Sequence, residues 1–311
     1  MVVKVENLVK RYKTLTALDH LSFEVRDGEI FGLLGPNGSG KTTAINCILA
    51  LLKYDKGSIT VFGKEMKPSS YDIKKDIGII MQNVAVFEEL NVYQNIDYFC
   101  GLYISDKNLR KQYVEDAIKF VGLEDFRKFV PKKLSGGLLR RLNIACGIAH
   151  KPKLIILDEP TVAVDPQSRN NILEGIRKLN ENGATIIYTS HYMEEVEQIC
   201  TRIAIIDKGK MIATGTKEEL KDMISQGEKI VIEAFRITEA QIEEIRDNKN
   251  VLSADLDDNN ILTIRTKNKT SELANIISYI NSKNISYGKI YSELPTLNDV
   301  FLEITGKELR D

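Results

Sequence analysis

Short apolar runs alternate with segments of helical period through the first two thirds of the chain, the pattern of an α/β fold. Residues 30–34, 77–81, 154–157 and 185–189 are apolar-rich stretches of strand length, and each predicts a buried strand. Residues 41–52 read as a helix. From Asn91 to Ala149 the pattern changes. Helical segments over 92–103, 107–121 and 138–149 follow one another with no strand between them, which predicts a helical insertion in the α/β core.

Past Gly227 the character shifts again. Strands are expected over 229–233, 251–256, 261–266 and 286–292, and helices over 239–246 and 270–281. The turn Asp257-Asp258-Asn259-Asn260 separates the middle strands. The order βαββαβ is that of a ferredoxin-like unit. The expected division is therefore 1–226, with a helical subdomain at about 91–149, and 227–311 as a small α+β accessory domain.

Composition narrows the choice of function. The 311 residues carry a formal net charge of −1, so nothing in the bulk electrostatics asks for nucleic acid or an anionic membrane. The pairs Lys74–Lys75, Lys132–Lys133 and Arg140–Arg141 are too short for a binding patch and read as solvated surface. Cys47, Cys100, Cys146 and Cys200 form no CxxC pair, which speaks against zinc and thioredoxin-like chemistry and for reduced thiols in the cytosol. The start, Met1 to Glu6, alternates like a strand and lacks the features of a signal peptide. No stretch reaches the ~18–20 apolar residues of a membrane helix.

The chemistry begins at Gly35-Pro36-Asn37-Gly38-Ser39-Gly40-Lys41-Thr42, which fits G-x-x-x-x-G-K-[ST] between an expected strand and an expected helix. Its glycines let successive backbone N–H groups face an anion, and the helix adds its positive end. Lys41 can reach the β- and γ-phosphates, the Thr42 hydroxyl can hold Mg²⁺, and Thr43 continues the phosphate-binding stretch. Four other Gly-Lys pairs are not followed by Ser or Thr, so the sequence holds one such loop. The run 154–157 ends in Asp158 and Glu159. Asp158 is expected in the Mg²⁺ shell, and Glu159 is expected to act as general base toward water.

With these motifs in place, residues 1–220 resemble the nucleotide-binding domain of ABC transporters. Leu134-Ser135-Gly136-Gly137, some twenty residues before Asp158, resembles that family's signature motif. The resemblance implies that Ser135, Gly136 and Gly137 hold a γ-phosphate. It gives Tyr12 as the aromatic that stacks on adenine and Gln82 as the residue that touches metal and water and senses the membrane partner. It gives Asp165 as the aspartate that crosses between subunits and His191 as the switch that contacts the γ-phosphate. His20 and His150 match no family role and are read as structural. Two positions depart from the pattern: Leu138 stands where the signature usually has Gln, and Val162-Ala163-Val164 lacks the usual Gly before Asp165.

The resemblance further implies ATP and Mg²⁺ as cofactors and a closed pair of ATPase subunits, expected to be a homodimer, holding two ATPs. It implies a permease on a separate chain and a location at the cytoplasmic face of the membrane. Residues 295–311 are similar to the end of ATPase subunits of type-2 exporters, including drug-efflux systems, which favours export over import. The alternatives are a soluble ABC ATPase acting on ribosomes or DNA, or a nucleotide-gated regulator without transport. One P-loop, the net charge and the absence of a long heptad run weigh against the first; intact Glu159 and His191 weigh against the second.

Overall fold

The computed structural model describes residues 1–162, 164–267 and 271–306. Ala163, Thr270 at the expected start of a helix, and 307–311 of the expected tail lie outside the described residues. Contacts divide the chain into one unit over Met1–Thr216 and a second from Lys217 onward.

In the first unit the apolar runs form one six-stranded sheet, in the order Lys210–Gly215, Arg202–Asp207, Ile30–Leu34, Thr185–Ser190, Leu154–Asp158 and Ile77–Ile80. Every neighbouring pair is parallel except Lys210–Gly215 with Arg202–Asp207. Ile30–Leu34, Leu154–Asp158 and Thr185–Ser190 are buried along their whole length, as central parallel strands must be. A second, antiparallel sheet orders Leu15–Val25, Val3–Tyr12, Lys56–Val61 and Lys64–Glu65. Between the sheets, Leu8, Leu18 and Val25 pack with Phe31, Leu33 and with Ala44, Ile45 and Ile48 of the helix Lys41–Ile48.

The expected insertion is helical: Val92–Gly101, Lys107–Phe120 and Gly136–Ile148 share a core of Val92, Ile96, Val114, Ile118, Leu142 and Ala145. Side-chain caps set the starts of these helices. Asn91 and Gln94 form a capping box, Asp106 accepts from the Leu109 amide, and Ser135 accepts from the Leu138 amide.

The second unit has the order expected for 227–311. Its antiparallel sheet runs Val251–Leu256, Ile261–Lys267, Gln226–Phe235 and Ser286–Glu293. The first strand of the motif thus pairs with the third and fourth, which is the ferredoxin-like arrangement. Helices Glu239–Arg246 and Leu273–Ser282 cover one face, closing a core of Ile230, Ile232, Leu262, Ile264, Ile242, Ile276 and Ile280. The unit begins ten residues before the expected boundary, because the short helix Lys217–Lys221 packs on the helix Leu297–Thr305. No helix among the described residues is long and apolar enough to cross a membrane.

Candidate active site

The loop from Gly35 to Gly40 turns between the strand Ile30–Leu34 and the helix Lys41–Ile48. Gly38 and Gly40 adopt φ of 79° and 107°, in the left-handed region that favours glycine. A Cβ at Gly35 would stand 2.2 Å from the Ile206 carbonyl oxygen, so the backbone passes too close for any side chain. No side chain caps the following helix; Gly40 is its cap residue. Its N–H groups remain for an anion.

Lys41 lies under this loop, 4% exposed. Its Nζ donates to the carbonyls of Gly35 at 2.7 Å and Pro36 at 3.2 Å and stands 3.3 Å from Glu159 Oε1. Burial pushes its ammonium below the usual lysine range, and Glu159 opposes that shift. Thr42 Oγ1 donates to Asp158 Oδ2 at 2.9 Å, and Thr189 Oγ1 donates to Asp158 Oδ1 at 2.6 Å. Glu159 is reached by Gln82 Nε2 at 3.2 Å and lies 3.4 Å from His191 Nδ1, which makes no aligned hydrogen bond. The fold therefore brings Lys41, Thr42, Gln82, Asp158, Glu159 and His191 into one connected set, drawn from three strand ends and one helix.

A pocket of about 500 Å³ opens above them, lined by Tyr12, Leu15 and Ala17 on one side, by Asn37 to Thr43 along the loop, and by Gln82 and Glu159. Tyr12 is 45% exposed, with the Lys10 ammonium 5.0 Å from its ring centroid. The hydroxyl, carboxylate and amide of Thr42, Asp158 and Gln82 are hard oxygen donors, the set that suits Mg²⁺. Ser39 Oγ, buried in the loop wall, has no hydrogen-bond partner among the described residues, so the cradle holds a spare polar group as well as its N–H groups.

Ser135, Gly136, Gly137 and Asp165 do not line this pocket. They lie together elsewhere. A Cβ at Gly137 would come 2.5 Å from Ser168 Oγ and 3.5 Å from Asp165 Oδ2. Asp165 caps the helix Pro166–Glu181, and the Ser168 amide and hydroxyl hold its carboxyl below the usual range. His150 is structural in its contacts: its Nε2 meets the Ile77 carbonyl at 3.2 Å and its ring stacks on Tyr103 at 4.1 Å. His20 pairs with Asp19 at 2.8 Å.

One expectation fails. Arg140 is not solvated surface but 4% exposed. From the helix Gly136–Ile148 its guanidinium donates to the carbonyls of Met81 at 3.0 Å, Gln82 at 2.9 Å and Glu159 at 3.4 Å. It stands three residues after Gly137 and four before Ile144, both buried, and so lies on the inward face of that helix. Helical period was the available signal, and the charge of the Arg-Arg pair concealed it.

Known proteins share this plan. Residues 18–162 match the family model described as ABC transporter, and residues 215–305 match that of the DrrA1-3-like ATP-binding protein C-terminal domain. The linearmycin resistance ATP-binding protein LnrL of Bacillus subtilis is 38% identical over 311 residues, covering 100% of both chains. The daunorubicin resistance ATP-binding protein DrrA3 of Streptomyces coeruleorubidus is 30% identical over 308 residues, covering 99% of this chain and 97% of its own. A solved dimeric ATP-binding cassette in a post-hydrolysis state with ADP and Pi is 27% identical, with a TM-score of 0.64 over 69% of this chain and 98% of that one. The chain thus belongs to the ATP-binding proteins of the ABC transporter family, with a cassette followed by a DrrA-type C-terminal domain.

Proposed function

We propose that this chain binds and hydrolyses ATP as the motor subunit of an exporter, working on a separate membrane permease at the cytoplasmic face of the membrane. The observation that carries the reading is the connected set around one phosphate loop: Lys41, Thr42, Gln82, Asp158, Glu159 and His191. ATP enters with its base on Tyr12 and its phosphates along 35–43. Lys41 exchanges its contacts with the Gly35 and Pro36 carbonyls for the β- and γ-phosphates. Thr42, Asp158 and Gln82 would hold Mg²⁺, which would supply charge neutralisation for the phosphoryl transfer. Glu159 takes a proton from water as the water oxygen bonds to the γ-phosphorus and the bond to the bridging oxygen breaks, leaving ADP and phosphate. His191, beside Glu159, contacts the γ-phosphate.

The separation of Ser135, Gly136, Gly137 and Asp165 from the pocket supports a two-copy site, in which a second subunit, here a second copy, brings its signature to this P-loop. Exposed aromatics that follow Gln82 in the chain support docking of a membrane partner on this segment: Phe87 and Tyr98 are 41% and 47% exposed and meet edge to face at 4.8 Å. The resistance proteins that match the chain end to end support export. From Lys217 onward the chain is an accessory unit that holds or regulates the pair, outside the chemistry.

Purified full-length chain tests the reading. Glu159→Gln keeps the shape of the side chain and removes the base, so ATP binding persists, phosphate release stops and an ATP-bound dimer accumulates in light scattering. Lys41→Ala loses affinity for a fluorescent ATP analogue. Near-normal phosphate release by Glu159→Gln would refute the assignment.

A further inference from the structure

Glu195 is 3% exposed, in the acidic run of the short helix Met193–Ile199. A buried carboxylate is costly unless donors surround it. Here Oε2 accepts from three hydroxyls: Thr161 at 2.8 Å, Tyr188 at 2.7 Å and Ser190 at 3.0 Å. Oε1 stands 3.3 Å from Arg169 Nε, in the first turn of the helix that Asp165 caps, a charge pair without an aligned hydrogen bond. None of these five residues lines the P-loop pocket.

Their places in the chain give the cluster its meaning. Thr161 follows Glu159 by two residues. Ser190 precedes His191 and also accepts from the Tyr192 amide at 2.9 Å. Tyr192 packs against the His191 ring at 4.1 Å, and the Arg169 guanidinium lies 4.8 Å from the Tyr192 ring centroid. One buried carboxylate therefore ties together the backbone after Glu159, the backbone at His191 and the helix that starts at Asp165. Burial and the facing Glu195 charge raise the Tyr188 hydroxyl well above its ordinary range, so it stays a donor.

We infer that Glu195 is a positioning residue for hydrolysis, fixing Glu159, His191 and Asp165 in register through Thr161, Ser190 and Arg169. The inference rests on the hydrolytic reading of Glu159. It acts on the geometry of the chemical step and not on nucleotide binding, because none of its partners faces the pocket.

Glu195→Gln discriminates. Its carbonyl oxygen can still accept from the hydroxyls, which preserves the fold, while its NH₂ meets Arg169 donor to donor and breaks that link. Steady-state ATPase of the full chain is measured as kcat per nucleotide-binding site, the sites being counted with a fluorescent ATP analogue. The expected result is a fall in kcat of about tenfold, with KM for ATP within about twofold of wild type and an unchanged melting temperature. A fall smaller than fivefold per site overturns the inference. So does a fall shared between kcat and KM, or one that disappears when rates are normalised to folded sites. Wild-type chain that hydrolyses nothing would instead count against the hydrolytic reading itself.

Discussion

Arg140→Ala should loosen the site from behind. The substitution removes a buried guanidinium that holds three carbonyls. Two of them keep weaker donors: Met81 O retains Asn143 Nδ2 at 3.4 Å, and Glu159 O retains the Val162 amide at 3.4 Å. The Gln82 carbonyl keeps none among the described residues. An unpaired buried acceptor costs about 1–3 kcal/mol, and two weakened ones add less, so the expected loss is about 2–3 kcal/mol. For a unit of this size that lowers the melting temperature by about 4–12 °C. Thermal unfolding followed by circular dichroism reads the shift, and ATPase turnover should fall with it because Gln82 and Glu159 lose their common anchor. Arg140→Lys should rescue poorly, since an ammonium cannot fork across adjacent carbonyls. A shift below about 2 °C, or full recovery by lysine, would refute the reasoning.

Three further outcomes are expected. Leu138→Gln should change ATPase activity by less than about tenfold, ~1.4 kcal/mol, because the Leu138 amide keeps its bond to Ser135 Oγ at 3.3 Å and the side chain only packs, partly buried, on the helical core; Ser135→Arg should eliminate activity, and both are read by phosphate release. His150 is pushed below its ordinary value of 6.5 by burial. The unfolded chain then binds the proton first, so stability should fall as pH drops through 6.5 toward the lower folded value, and His150→Phe should flatten that limb of a urea-denaturation series. A chain ending at Thr216 should stay soluble and bind a fluorescent ATP analogue, whereas one ending at Gln226 should aggregate more in light scattering, because it exposes Leu220 and Ile224, which are 0% and 2% exposed in the full chain.

Local chemistry made much of this molecule readable from sequence. The phosphate loop, the strand ending in Asp158 and the βαββαβ order each depend on neighbours within a few residues, and the fold realises all three. Helix and strand ends differ by a few residues: the helix expected over 41–52 stops at Ile48, where the Leu49 N–H closes on the Ile45 carbonyl and the Ala50 N–H on the Cys47 carbonyl. What the sequence hid were side chains whose partners are distant along the chain. Arg140 reaches back 59 residues to Met81, and Thr161 meets Glu195 across 34 residues. Glu195 also stands among acidic neighbours at 194 and 197, so its burial left no mark in composition. The helix Lys217–Lys221 is too short to show a period, so the pattern of the chain marks the division near 226, ten residues past the unit boundary at Thr216.

Glu159 occupies left-handed backbone, with φ of 48°. Its N–H donates to the Thr189 side chain and main chain at 3.0 and 3.2 Å, and its carbonyl accepts from Arg140. The backbone is thus clamped on both sides, independently of the carboxylate. Single-nucleotide changes in a glutamate codon lead to Asp, Gln, Lys, Ala, Gly and Val. Gly escapes the left-handed strain, and Gln and Ala keep the same backbone bonds, so these alleles should persist in cells at near-normal abundance while inactive. Val adds a branched Cβ to a conformation that penalises it by about 1–3 kcal/mol. A mutational scan that scores abundance should therefore find valine depleted at a position where glycine and glutamine are retained.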